Sequence, residues 1–198
     1  MKLEEDKLFS LVEEISKCNE IDIRDIPCID LYMDQITTFF DEKLGHLKRD
    51  EKDPILTKTM INNYTKDKVL IPPKSKKYSK EHMILLILIY NLKQILSIND
   101  IKSLLKPLLK DLEVNGHENI SLDHLYSTFI GIKTEELDSF NKDFENRLKR
   151  IKDNLSEKNK HEYSKHELLL VVLTLISQAY AQKRLAEKII DSYFKQSK

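Results

Sequence analysis

Seven lysines, Lys58, Lys66, Lys68, Lys74, Lys76, Lys77 and Lys80, stand between positions 54 and 80 against one acid, Asp67. Over the whole chain, 33 basic and 33 acidic residues cancel. Cations gathered in this way can each neutralise a phosphate and release a counterion, which gives salt-dependent, sequence-independent attraction to a nucleic acid. Groups of another kind are interleaved with them. Asn62 and Asn63 carry amides that can pair bidentately with adenine, and Thr57 and Thr59 can meet a phosphate or a thymine methyl. The same run also fits an ordinary solvated lysine-rich surface. Elsewhere the charge has the opposite sign: the first thirty residues hold nine acids against four bases, and it is such local asymmetry that a polyanion would feel.

Other chemistry is thinly represented. Six histidines, His46, His82, His117, His124, His161 and His166, are scattered, and the last two are one residue too far apart for a zinc-binding pair on one helix face. The carboxylates fall on solvated helical faces, and there is no glycine-rich phosphate cradle or nucleophile elbow. No enzyme activity, metal or cofactor is expected. Cys18 and Cys28 are too few for a disulfide framework and lack zinc-site spacing, so they read as reduced thiols. The opening MKLEEDK is acidic where a signal peptide is basic. The most apolar runs, 83–90 and 168–176, fall short of the ~20 residues that span a bilayer. A cytoplasmic chain with no membrane partner is the expectation.

The elements that must position the lysine-rich segment read as helices. Only three glycines and five prolines are present among abundant Leu, Ile, Lys and Glu, which favours an all-α fold. Leu3, Leu8, Leu11, Val12 and Ile15 mark an amphipathic helix ending near Cys18 or Asn19, followed by a linker over 21–27. A second helix is predicted over 30–44 with Gly45 as its C-cap, and a charged loop over 46–54. Thr57 caps a third helix, over 57–66, with Met60, Ile61 and Tyr64 inward and Lys58, Asn62, Asn63 and Lys66 outward. Pro72 and Pro73 hold an extended backbone before a projecting turn or small wing at 74–77. Ser79 caps a central helix over 80–95 that is apolar nearly all round. Ser97 or Asn99 caps the next helix, which Pro107 should kink or end early. Asn115-Gly116 is a stop and a boundary between halves.

Beyond it, a short helix over 121–130 and a separate amphipathic one from Thr134 are predicted, the second carrying Leu137, Phe140, Phe144, Leu148, Ile151 and Leu155 at the 3.6-residue period. A last helix covers 164–194. Its apolar run 168–176 is expected to be covered by packing within the molecule, as part of one helical bundle. Tyr163-Ser-Lys-His-Glu echoes Tyr78-Ser-Lys-Glu-His and reads as one capping solution used twice rather than as a true duplication. Phe129, Phe140, Phe144 and Tyr180 read as core more readily than as the lining of a small-molecule pocket.

The succession Ile61-Asn-Asn-Tyr64, Leu70-Ile-Pro-Pro73, Lys77-Tyr-Ser-Lys80 and Leu96-Ser-Ile-Asn-Asp-Ile-Lys-Ser-Leu-Leu105 resembles the winged helix-turn-helix of MerR-type transcriptional regulators. In that family an apolar residue, Arg and two tyrosines end the recognition helix. A Leu-(Leu/Ile)-Pro-Pro element then leads into a basic wing, and a Tyr-Ser cap opens the next helix. Asn62 and Asn63 stand where the family has Arg and its first Tyr. The chain also resembles an uncharacterised bacterial family of unknown function. The resemblance implies an all-α protein with an N-terminal winged helix-turn-helix, with a minimal β wing, followed by a C-terminal helical bundle. It divides the chain into 1–28, a helix and linker; 29–114, the winged domain; and 115–198, a helical region for dimerisation or sensing.

The implied function is a transcriptional regulator that binds double-stranded DNA through Thr57, Lys58, Thr59, Asn62, Asn63, Lys66, Lys74, Lys76, Lys77 and Tyr78. A homodimer is implied, with a small-molecule or protein effector at the C-terminal helices. The alternative is an all-helical protein-interaction or adaptor module that has lost sequence-specific DNA binding.

Overall fold

The computed structural model describes residues 3–16, 21–113, 121–155 and 162–195. Among the described residues, seven α-helices carry the fold, accompanied by four two-residue strands. In chain order these are β1 (Leu3–Glu4), α1 (Glu5–Ser16), β2 (Leu31–Tyr32), α2 (Met33–Leu44), α3 (Lys58–Lys66) and β3 (Lys77–Tyr78). There follow α4 (Lys80–Leu92), α5 (Ile98–Glu113), α6 (Leu122–Leu155), β4 (Glu162–Tyr163) and α7 (Lys165–Ile189), which ends in a π-helical turn, Ile190–Phe194. The fold is mostly helical, as expected. None of the described helices is long and apolar enough to cross a membrane.

The chain forms two compact units. One, here the α1 unit, joins Met1–Asn19 to Gly131–Leu185; the other, the α4 unit, joins Glu20–Ile130 to Ala186–Lys198. The expected boundary at Asn115-Gly116 lies outside the described residues; the two compact units divide beside Gly131, within α6.

In the α4 unit, α4 is the hub. Met83, Ile84, Leu85, Leu86, Ile87 and Ile89 are all buried, because a helix apolar on every side must be surrounded. Around it pack Ile36, Phe40 and Leu44 of α2, Ile61 and Tyr64 of α3, Ile101 and Leu105 of α5, and Leu122 and Tyr126 of α6. The predicted linker is part of this core. Ile21 and Ile26 are buried on either side of a 3₁₀ turn capped by Asp22, and the Tyr126 hydroxyl donates to the Ile21 carbonyl. Asp22 also receives Arg24, whose guanidinium holds that carboxyl down at about 2. Helix α2 starts three residues later than expected, because Leu31 and Tyr32 are taken into a ladder with Tyr78 and Lys77. Gly45 is the C-cap of α2, as expected, its N–H donating to the Asp41 carbonyl, but it stays right-handed and opens a 3₁₀ turn.

In the α1 unit, Leu8 and Val12 of α1 pack with Phe144, Leu148 and Ile151 of α6, Tyr163, and Val171 of α7. Strand β1 pairs antiparallel with β4, Leu3 opposite Tyr163.

Three further expectations fail in whole or in part for local reasons. Helix α5 does not end at Pro107 but continues to Glu113, with the proline ring exposed and its position costing the helix one backbone hydrogen bond. The two helices predicted on either side of Gly131 are one helix of 34 residues. A lone glycine costs only about 1 kcal/mol in a helix whose side chains on both sides keep the pattern. The run 168–176 is covered on one side only: Val171 is buried and Leu168, Leu170 and Leu175 pack against the same core, while Leu169, Val172, Leu173 and Ile176 are each more than half exposed. Within the α1 unit, α1 and α6 cover the Val171 side of α7 and leave the other side open.

Candidate nucleic-acid interface

Helix α3 forms where Thr57 meets the 3.6-residue period. The Thr57 Oγ1 accepts from the Met60 backbone N–H at 3.1 Å, and Ile61 and Tyr64 are buried. Lys58, Thr59, Asn62, Asn63 and Lys66 are exposed on the other side. The helix stops at Lys68, which takes a left-handed conformation with φ 56°, while the Val69 N–H bonds to the Tyr64 carbonyl at 2.8 Å. Val69 and Leu70 then drop into the core.

The projecting turn is a two-residue hairpin. Lys74 and Lys77 exchange both backbone hydrogen bonds, at 3.1 and 2.9 Å, and Ser75 and Lys76 between them have φ of 51° and 62°. Positive φ at both positions is the type I′ geometry that joins twisted strands. Its base is fixed by the pairing of Tyr32 with Lys77 and Leu31 with Tyr78.

Two residues at the start of α2 connect this hairpin to α3. The Lys77 ammonium lies over the Tyr32 ring, 5.3 Å from its centroid, and the Lys58 ammonium pairs with the Asp34 carboxylate. The first turn of α3 and the base of the hairpin therefore flank the same end of α2. From these supports Asn62, Asn63, Lys66, Lys74 and Lys76 extend into solvent.

One residue of the expected set is excluded. Tyr78 is buried at 3% exposure, its ring edge-on to His82 at 5.3 Å between centroids, and burial pushes its phenol pKa up. It belongs to the core and cannot reach a ligand. Thr57 is half-buried and its oxygen is committed to the cap, while Lys58 is partly neutralised by Asp34. Two exposed residues absent from the expected set belong to the face, Lys68 and Ser75. Their positive φ was not legible, because neither is the glycine or asparagine that usually signals it.

Behind the hairpin, His82 ties the extended Pro72 segment to α4. Its Nδ1 accepts from the Ser79 N–H at 3.0 Å, and its Nε2 lies 3.3 Å from the Pro72 carbonyl. Burial pushes the imidazole below its ordinary pKa, which keeps Nδ1 free to accept.

A family model described as Domain of unknown function (DUF1836) matches residues 21–129. The chain belongs to this family. The DUF1836 match begins and ends within a residue of the longer segment of the α4 unit, so the lysine-rich face lies wholly inside the family's domain. No curated protein and no solved structure matches the chain.

The DUF1836 domain also holds a cavity of about 570 Å³, lined by Leu88, Leu92, Leu104, Leu108 and Phe129, with Phe194 of the C-terminal turn at its edge. Lys195 anchors that turn to Asp100 of α5 at 2.8 Å and to Asp191 at 2.7 Å. Of the four aromatics considered for a pocket, Phe129 lines this cavity, Phe144 is core, Phe140 packs against it, and Tyr180 is exposed. Among the described residues, no three His, Cys, Asp or Glu side chains stand close enough to hold a metal ion.

Proposed function

We propose that this DUF1836 protein is a MerR-like transcriptional regulator that binds double-stranded DNA, with α3 in the major groove and the Lys74, Lys76 and Lys77 hairpin as its wing. The observation that carries this reading is the shared support at the start of α2. Tyr32 and Asp34 hold the hairpin and α3 beside one another while Asn62, Asn63, Lys66, Lys74 and Lys76 stay solvated. Groove-reading amides next to phosphate-neutralising cations are what a basic duplex contact needs.

The protein acts as a homodimer on this reading. Leu169, Val172, Leu173, Ile176 and Tyr180 recur at helical spacing on one side of α7, each at least 54% exposed. Together they present on the order of 500 Å² of apolar surface, a large part of the roughly 800 Å² per partner that a stable interface covers. A second copy laid against the same stripe is the self-complementary solution. The cavity beside Phe194 would take the effector. The adaptor alternative draws on Asn62 and Asn63, which offer amides where MerR-type regulators grip phosphate, and on the pairing of Lys58 with Asp34.

Lys74, Lys76 and Lys77 changed together to Glu are expected to abolish binding to a duplex containing the protein's own promoter, measured by fluorescence anisotropy. Undiminished binding by that variant would exclude the regulator. Leu173→Glu is expected to convert a dimer to a monomer in sedimentation equilibrium, and a wild-type monomer at high concentration would exclude the dimer.

A further inference from the structure

The α1 unit is built on the same plan as the α4 unit. In each, a strand opening on leucine runs directly into a helix and pairs antiparallel with a strand ending in tyrosine, Leu31 with Tyr78 in one and Leu3 with Tyr163 in the other. Both tyrosines are buried, and both are followed by Ser-Lys and a helix capped from its third residue. The Ser79 N–H donates to His82 Nδ1 at 3.0 Å, and the Ser164 N–H donates to Glu167 Oε2 at 2.6 Å. Among the described residues, His82 and Glu167 are the two buried polar side chains, and they occupy the same place in the two units.

The correspondence extends through the cores. Counted from the two leucines, Leu8 falls on Ile36 and Val12 on Phe40; counted from the two tyrosines, Val171 falls on Leu86. All six are buried. Ahead of its tyrosine, the α4 unit buries Ile61 and Tyr64 of α3, and the α1 unit buries Leu148 and Ile151 of α6 with the same spacing. A shared capping preference would account for Ser-Lys alone. It would not set a leucine opposite each tyrosine or repeat the buried positions on three helices.

We infer that the α1 unit is a second copy of the strand–helix–helix–strand–helix design and that its α6 surface is a second contact for the phosphate backbone of duplex DNA. This rests on the reading given above for α3. Matching Leu148 and Ile151 to Ile61 and Tyr64 sets Asn146, Lys149 and Arg150 at the positions of Thr59, Asn62 and Asn63, and all three are exposed. Where α3 offers two amides, α6 offers an ammonium and a guanidinium whose fork matches phosphate. Glu145 and Asp153 take the places of Lys58 and Lys66, so the positive charge is confined to the middle of the surface. Such a surface holds a backbone and does not read bases.

The test uses the full chain and a fluorescein-labelled duplex of roughly 30 base pairs, with anisotropy titrations from about 50 to 200 mM salt. The doubly neutralised variant, Lys149→Gln with Arg150→Gln, is expected to bind about tenfold more weakly, with the slope of log affinity against log salt reduced by about two. Its circular dichroism and melting curve should match wild type. The hairpin triple change to Glu serves as the parallel arm. If the Gln pair binds within twofold of wild type with an unchanged slope while the hairpin variant fails, the second contact is overturned and the α3 reading stands. If the Gln pair weakens binding and the hairpin variant does not, the α6 contact stands and the wing falls. Absence of any wild-type binding at the lowest salt overturns both.

Discussion

Replacing Lys76 with glycine should strengthen the fold and weaken the proposed DNA contact together. The hairpin turns on Ser75 and Lys76 at φ of 51° and 62°, and the paired hydrogen bonds between Lys74 and Lys77 leave no slack to relax them. An L-residue held left-handed costs roughly 1–2 kcal/mol. Glycine escapes that cost but gives back about 0.4–1 kcal/mol through the greater freedom of its unfolded chain. Lys76→Gly should therefore gain about 0.5–1 kcal/mol, and Ser75→Asn a few tenths more, since asparagine tolerates this conformation. In a chain of this length, about 1 kcal/mol raises the melting temperature by about 2–4 °C, readable by scanning calorimetry. The same substitution removes one cation, so the salt dependence of duplex binding should flatten by about one unit of slope. Lys76→Ala is the control: it loses the charge but keeps the left-handed demand, so it should bind as weakly as the glycine variant without melting later. A glycine variant that melts at or below wild type would refute the strain assigned to this turn.

Three further outcomes follow from buried polar contacts. His82 has a folded-state pKa below its ordinary value because burial disfavours the imidazolium, so its contribution is complete above about pH 6.5 and is lost as pH falls toward the lowered value. Between pH 7 and 5 the wild type should therefore lose stability more steeply than His82→Gln, and parallel urea midpoints would count against the assignment. Tyr126→Phe leaves the Ile21 carbonyl buried without its donor and should cost about 1–3 kcal/mol in urea denaturation; a loss under a few tenths would mean that water takes the donor's place. Glu167→Ala removes the acceptor for the Ser164 N–H and should cost about 0.5–2 kcal/mol, with faster amide exchange in the first turn of α7 and unchanged exchange in α4.

Much of the scaffold around the candidate site is legible from residue order. Thr57, the pairing of Ile61 with Tyr64, and the prolines before the lysines each have a local physical meaning, and α3 and the hairpin form where those meanings predict. Tyr78 misleads, because a tyrosine among lysines looks like a contact residue until its strand partner, Leu31, turns it inward. The errors elsewhere share one source. Whether an apolar run such as 168–176 is covered depends on what the rest of the chain can bring to it, and composition alone does not carry that information. Gly131 reads as a break because its cost is local, whereas the helix on either side repays it collectively. The echo between the two Tyr-Ser caps was visible, but its meaning lay in partners far away in the chain, Leu3 and Leu31, which no local pattern connects to them.

The separation of Leu3 from Tyr163 also bears on the order in which the protein acquires its structure. Their ladder closes a span of about 160 residues, against about 47 for Leu31 and Tyr78, and closure entropy alone makes the longer span costlier by about 1 kcal/mol. If residues 20–130 collapse first, most of that span is already condensed when β4 arrives. During synthesis α1 must then wait, with Leu8 and Val12 uncovered, until α6 and α7 have been made. A chain stopped short of β4 would keep most of the α4 unit's core and the α6 residues Phe144, Leu148 and Ile151, but would leave α1 without Tyr163 and Val171, a half-covered amphipathic end on an otherwise folded molecule.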